Sequence, residues 1–285
     1  MANEQAMRRR EFCAAAALLS SLTPAAAQES LSSEGFRPIF DGSSLNGWKA
    51  YPRKPGDSNT GKWSVENGVI SGGQDPPGSG MGAYLVSEEA FFNFELQLEA
   101  RPDWPIDTGI YVRTVPAGNI GIQVLLDYRP LGGIAGYFGN GLGSFHAMEY
   151  GFIGEPGADG NERHPERLIP VRPAEPTKHV PLEFAAPAAT FLRAWKLNDW
   201  NQFRIRCVGE MPRLTTWING EKISEFDVSK VQAPDFDPKA IAAAVGKPGH
   251  ISFEVHNNDA FLGKLRWWPG AVSRWRNITI KNLPG

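Results

Sequence analysis

Leu214-Thr215-Thr216-Trp217-Ile218-Asn219-Gly220-Glu221-Lys222-Ile223-Ser224-Glu225-Phe226 holds two apolar-rich runs parted by an Asn-Gly pair. Asn-Gly tolerates the positive φ angles of the tightest hairpin turn, whose twist matches that of the strands it joins. The stretch therefore predicts an antiparallel hairpin over 214–226, and the same rhythm extends outward from it. Phe203-Arg204-Ile205-Arg206-Cys207 alternates apolar and polar side chains, and Phe94-Glu95-Leu96-Gln97-Leu98-Glu99 does so strictly, the period of a half-buried strand. Residues 110–115 and 120–126 are rich in β-branched and aromatic residues around a short Pro116 to Asn119 connection, and 250–256 and 275–281 read as two further strands. A single short helix is expected, with Asp237 as its cap, Pro238 in first position, an alanine-rich run to Val245 and Gly246 as its stop. Many short strands, regular turn residues and no βαβ alternation predict an all-β sandwich of two antiparallel sheets, without internal repeats.

The first 27 residues differ in kind. Arg8, Arg9 and Arg10, an apolar run from Ala14 to Leu22, and Ala25, Ala26 and Ala27 before Gln28 form the three parts of an export signal. Arg9-Arg10-Glu11-Phe12 fits the twin-arginine variety, which predicts an exported or periplasmic protein with a mature chain of 28–285. The apolar run is too short to span a bilayer, which takes about 20 residues. Cys13 falls in this leader, so Cys207 stands alone in the mature chain and no internal disulfide can form there. Loss of three arginines and two glutamates takes the formal charge from −2 to about −3, which offers no basic footprint for nucleic acid. The nine tryptophans suit either a core or platforms for sugar rings.

From Leu131 to Ala189 the chain turns glycine-rich and then proline-rich, which predicts a long loop or lid inserted in the sandwich. Its glycines at 132, 133, 136, 139, 141 and 143 do not meet the spacing of a phosphate cradle, and no helix follows them. The chain contains no G-x-S-x-G elbow, H-E-x-x-H helix, paired C-x-x-C or EF-hand loop, which disfavours serine hydrolases and zincins.

Seven blocks, in order, carry a resemblance. They are Phe40-Asp41-Gly42-Ser43-Ser44-Leu45-Asn46-Gly47-Trp48, Trp63-Ser64-Val65-Glu66-Asn67-Gly68-Val69-Ile70, Asp107-Thr108-Gly109-Ile110-Tyr111-Val112-Arg113, Gln123 to Asp127, Asn198-Asp199-Trp200-Asn201, Trp217-Ile218-Asn219-Gly220 and Arg274-Trp275-Arg276-Asn277-Ile278. Over residues 36–283 the chain resembles the 3-keto-disaccharide hydrolase family, also known as domain of unknown function 1080. The resemblance implies a concanavalin-like or laminin-G-like jelly-roll sandwich and cleavage of glycosides already oxidised to a ketone at C3. A C3 ketone acidifies the C2 proton, so a base can form an enolate, the C1 substituent can leave, and water can add to the resulting glycal. Such chemistry requires a base, an electrophile for the enolate oxygen, and an acid or metal-bound water at the leaving oxygen. A non-catalytic carbohydrate-binding module is the alternative.

Candidate residues follow at matching positions. Asp127 ends a strand before the loop-rich segment and is the first choice for base or metal ligand, against a role as turn cap. His256 ends Phe253-Glu254-Val255-His256 and could be acid, base or ligand, or merely structural. Glu254 shares its face at i+2, so Asp127, Glu254 and His256 form the candidate ligand set for a divalent metal. Arg113 and Arg276 are candidate clamps, or else ion-pair partners of strand neighbours. Gln123, on the face of Asp127, together with Trp200 and His146 completes the expected substrate contacts.

Overall fold

The computed structural model describes residues 35–285 apart from 159, 161–162, 172–179 and 233–234, so the expected export signal lies outside the described residues. The first strands along the chain are β1 Arg37–Pro38, β2 Trp48–Pro52, β3 Lys62–Glu66, β4 Val69–Gly73, β5 Ala83–Phe91, β6 Phe94–Pro102, β7 Ile106–Thr114, β8 Gly121–Tyr128 and β9 Ile134–Asn140. They continue as β10 His146–Ala147, β11 Gly151–Pro156, β12 Pro165–Val171, β13 Phe184–Ala185, β14 Asn201–Val208, β15 Arg213–Ile218, β16 Glu221–Asp227, β17 Gly249–Val255 and β18 Ser273–Asn282.

Alternation becomes layering. One sheet runs β10-β9-β8-β7-β17-β5-β2, the other β13-β16-β15-β14-β6-β18-β4-β3 with β1 on β18, and β11 pairs with β12 alone. All these pairings are antiparallel, and the two last strands enter the middle of a sheet each, β17 between β7 and β5 and β18 between β6 and β4. The result is the expected concanavalin-like jelly-roll sandwich. Leu85, Ile110, Val112, Ile122, Val124, Leu126 and Phe253 of the first sheet face Leu96, Leu98, Phe203, Ile205, Leu214, Trp275 and Ile280 of the second in one buried core. Because side chains alternate, the first sheet's other face carries Tyr84, Tyr111, Gln123, Asp127 and Glu254.

The opening hairpin forms in register, Ile218 opposite Glu221, with φ of 50° at Asn219 and 88° at Gly220. Asn219 also donates from Nδ2 to Ala194 O (2.7 Å) and Asn201 Oδ1 (2.8 Å), and its Oδ1 accepts from Gln202 N (2.9 Å). Asn219→Ala should therefore lose about 2–4 kcal/mol in urea unfolding, from three bonds and the left-handed backbone. Asn219→Gly, which relieves only the backbone, should recover the smaller part.

The predicted helix is Pro238–Val245, with Asp237 Oδ1 accepting from Lys239 N at 2.9 Å. The segment 131–189 corrects its reading as a loop. It contains β9 to β13, and a second helix, Ala188–Ala194, begins at its end. The glycines that masked a strand are there for packing. A Cβ at Gly139 would meet Phe145 Cε1 at 2.3 Å, and one at Gly136 would meet Met148 Cβ at 2.7 Å, so the side chains of Phe145 and Met148 lie directly on the β9 backbone.

Candidate active site

β2, β8 and β17 end, and β5 and β7 begin, at one end of the seven-stranded sheet, so the loops after or before them gather there. Asp107 at the start of β7 is the register partner of Asp127 at the end of β8. Arg129 Nε lies 2.8 Å from Asp127 Oδ1 and 3.7 Å from Asp107 Oδ2. Arg266, from the loop after β17, pairs with Asp107 and reaches Asp259 Oδ2 at 2.8 Å. His256 Nε2 stands 3.7 Å from Asp107 Oδ2 and 3.0 Å from Arg53 Nη2. Its Nδ1 lies 2.7 Å from Asn257 O, a carbonyl that can only accept, so Nδ1 carries the hydrogen and Nε2 a lone pair.

Arg53 ties this cluster to a deeper one. It pairs with Glu254, which is fully buried, and lies over the Tyr84 ring at 5.4 Å. Glu254 Oε2 accepts from Gln123 Nε2 at 2.8 Å. Gln123 sits on β8 and Glu254 on β17, so the bond must cross β7, and it crosses at Gly109, where a Cβ would fall 2.2 Å from Gln123 Nε2. A glycine inside a strand here marks the path of a neighbouring side chain. Gln74 fastens the loops above, donating to His256 O at 3.0 Å and accepting from Gly80 N at 3.0 Å.

Burial and charge divide the protonation states. Burial, then the charge of Asp107, push Asp127 well above the usual aspartate range against the opposing pull of Arg129 and Arg266. Burial works the same way on Asp107, but His256, Arg129 and Arg266 outweigh it and keep that carboxyl below its ordinary value. Two carboxyls pushed apart in this way favour the proton on Asp127 and the charge on Asp107. His256 is lowered to about 4, chiefly by burial, with Asp107 resisting and Arg53 and Arg266 assisting. A histidine lowered in the folded state contributes stability above its ordinary pKa, and that contribution is lost as the pH falls through the folded value. Stability should thus drop by about 3 kcal/mol between about pH 6.5 and 4 on this account. Urea unfolding of His256→Gln should show a flatter slope over that window, and an unchanged slope would refute the assignment.

Asp127, His256, Glu254 and Gln123 are therefore brought to one end of one sheet, and the other four expected residues are not. Arg113 is buried at the far end of β7, about 20 Å from Asp107 at six residues' rise. Its guanidinium donates to Val245 O (2.9 Å) and Gly209 O (3.1 Å) and lies 4.2 Å from the Phe92 ring, which makes it a strut between loops. Arg276 lies on β18 of the other sheet and Trp200 just before its β14, where Arg276 bonds Glu99 at 2.5 Å and lies 4.1 Å over the Trp200 ring, with Arg101 at 5.3 Å. Trp200 thus already stacks with its own cations. His146 is at the sheet's β10 edge against Phe138, ring centroids 4.6 Å apart.

The metal expectation does not fit these donors. Asp127, Asp107 and Glu254 each face a guanidinium, and the remaining Glu254 oxygen takes the Gln123 amide. Among the described residues, no group of three or more His, Cys, Asp or Glu is arranged to hold a metal ion. A divalent cation would have to displace fixed positive charge. Arg53, Arg129, Arg266 and Asp259 sit in loops without periodicity and give no signal in the sequence, where Asp107 shows only as part of a strand block.

The model of the 3-keto-alpha-glucoside-1,2-lyase-like domain matches residues 35–281. The chain belongs to this family. A 3-keto-disaccharide hydrolase of Bacteroides thetaiotaomicron is 35% identical over 96 residues, covering 32% of this chain and 28% of that protein. The chain thus matches under a third of that relative's length. Among solved structures, a candidate glycosyl hydrolase from Parabacteroides distasonis ATCC 8503 aligns over 90% of this chain and 97% of its own at 16% identity and a TM-score of 0.48. A carbohydrate-binding module from Bacillus subtilis aligns over 83% and 96% at 11% identity and a TM-score of 0.42. The family accounts for the order of the seven sequence blocks. Several of them supply core rather than site, Trp48 and Trp275 being fully packed. Among the described residues, no helix is long and apolar enough to cross a membrane.

Proposed function

We propose that this member of the 3-keto-alpha-glucoside-1,2-lyase-like family cleaves the glycosidic bond of 3-keto-glycosides or 3-keto-disaccharides by elimination followed by hydration. The observation that carries the reading is the gathering of two carboxyls, one imidazole and three guanidiniums at one end of the first sheet. His256 Nε2 takes the C2 proton, and the electron pair of that bond forms the enolate of the C3 ketone. Asp107, 3.7 Å away, stabilises the imidazolium so formed. The guanidiniums of Arg53 and Arg266 hold the enolate oxygen, a place where fixed donors in a buried site act most strongly. The C1–O bond then breaks and its oxygen takes the proton of Asp127. Water adds back, hydroxyl to C1 and proton to C2, so the sum is hydrolysis.

Run in heavy water on a 3-keto-disaccharide, the reaction should place one deuterium at C2 of the released 3-keto sugar. Cleavage without deuterium at C2 would replace elimination by direct displacement, and no cleavage would overturn the reading. Export belongs to the same proposal and rests on Arg9-Arg10-Glu11-Phe12. Replacing Arg9 and Arg10 by lysine should retain the protein in the cytoplasm, and unchanged export would exclude the twin-arginine route.

A further inference from the structure

Arg266 meets Asp107 through backbone and side chain alike. Its carbonyl accepts from Asp107 N at 2.8 Å, and its Nη1 pairs with Asp107 Oδ2. The rest of the guanidinium is turned to Asp259, whose Oδ2 accepts from Nη2 at 2.8 Å and from Nε at 3.1 Å. A guanidinium carries five N–H groups and no acceptor. These bonds use three of them, and among the described residues the other two, one on each terminal nitrogen, meet no further acceptor. The second oxygen of Asp259 has a separate task. Oδ1 accepts from Leu262 N at 2.7 Å and Phe261 N at 2.9 Å, and Asp259 O accepts from Gly263 N at 2.9 Å, so this aspartate opens the turn that Arg266 closes. Leu262 O and Gly263 O take Leu265 N at 3.0 Å and Arg266 N at 3.1 Å, and Asn258 Nδ2 donates to Trp267 O at 3.2 Å across the two ends of the turn. A partly exposed ion pair of this kind stabilises a fold little. What it can do is fix an orientation. Released from Asp259, the guanidinium would be free to set both terminal nitrogens against Asp107, the forked geometry that arginine and carboxylate prefer, and so use up its free donors.

We infer that Asp259 is a positioning residue of the site: by taking Nε and Nη2 it holds Arg266 end-on to Asp107 and keeps two N–H groups for the enolate oxygen. The inference rests on the proposed elimination for the use of those donors, whereas the grip itself can be read without turnover. In Asp259→Asn the amide oxygen still accepts from Phe261 N and Leu262 N, so the turn and the urea midpoint should stay, while the charge that holds Arg266 is gone. On a 3-keto-disaccharide kcat should fall about 10–10²-fold with KM changed less than about twofold, because the enolate oxygen exists only after binding. In an Arg266→Gln background the same substitution should change kcat less than about twofold, since its effect passes through the arginine. By nuclear magnetic resonance, the Nε–H signal that Arg266→Gln removes should exchange with water at least about tenfold faster in Asp259→Asn than in the unsubstituted chain. An unchanged kcat in Asp259→Asn, a loss carried by KM, an equal loss in the Arg266→Gln background, or unchanged Nε–H exchange would each overturn the inference. If the unsubstituted chain cleaves no 3-keto-disaccharide, the elimination reading fails, and the Nε–H exchange still decides whether Asp259 holds Arg266.

Discussion

Asp127→Asn should lower kcat/KM on a 3-keto-disaccharide by about 10²–10⁴-fold, the usual range for loss of a general acid or base, with little loss of fold. The second half of that expectation follows from the protonation state. An amide closely matches the shape of a carboxyl whose pKa burial and Asp107 push up, and Arg129 and Arg266 keep Asp107 as their anion. Asp107→Asn should behave differently. Removing its charge takes away one cause of the raised Asp127 pKa, so the high-pH limb of kcat, where the acid loses its proton, should move to lower pH. It also removes the anion beside His256, so kcat itself should fall. pH–rate profiles of the two variants separate the roles. A high-pH limb that stays in place in Asp107→Asn would mean that the two carboxyls do not share a proton balance, and Asp127 would lose its assignment as the acid.

The legibility of this molecule follows from what each signal reports. Alternation reports burial on one face, so the strands around Leu96, Phe203 and the Asn219-Gly220 turn are readable directly, and the two-sheet sandwich follows from them. The same logic fails where glycine takes the place of a side chain, on either face. Along β9, Gly136 and Gly139 make room for Met148 and Phe145, and the pattern seen in sequence is that of a loop. At the site, Asp127, Glu254 and His256 are legible because strand ends place polar residues where loops converge. Their partners are not. Arg53, Arg129 and Arg266 reach the cluster from three loops far apart in sequence, and only the pairing of β8, β7, β17, β5 and β2 brings those loops together. Arg113 misleads for a related reason. It is a charged residue in a strand, which suggests a clamp, but its φ of 55° and its carbonyl partners belong to a buried brace at the other end.

Phe253→Ala should cost about 3–5 kcal/mol of folding stability, the range for removing a large buried ring that its surroundings cannot refill. Phe253 lies between Trp48 at 5.2 Å and Trp275 at 4.7 Å, both nearly parallel to it. Trp48 belongs to β2 on the same sheet, whereas Trp275 belongs to β18 on the other, so the middle ring carries contact across the sandwich. The two outer indoles are held in place independently of it. Trp48 Nε1 donates to Ile39 O at 2.8 Å, and Trp275 also meets Trp63 at 5.9 Å, so neither can swing freely into the space left by the ring. A cavity that does not collapse is the costly kind. Phe253 also precedes Glu254, whose side chain points to the opposite face and holds Arg53 and Gln123. Slack in β17 would therefore reach the site through the backbone, and Phe253→Ala should lower kcat as well as the urea midpoint, while Phe253→Leu should keep more of both. A loss below about 1 kcal/mol would mean that the indoles close over the gap, and the stack would then not be what joins the sheets beneath the site.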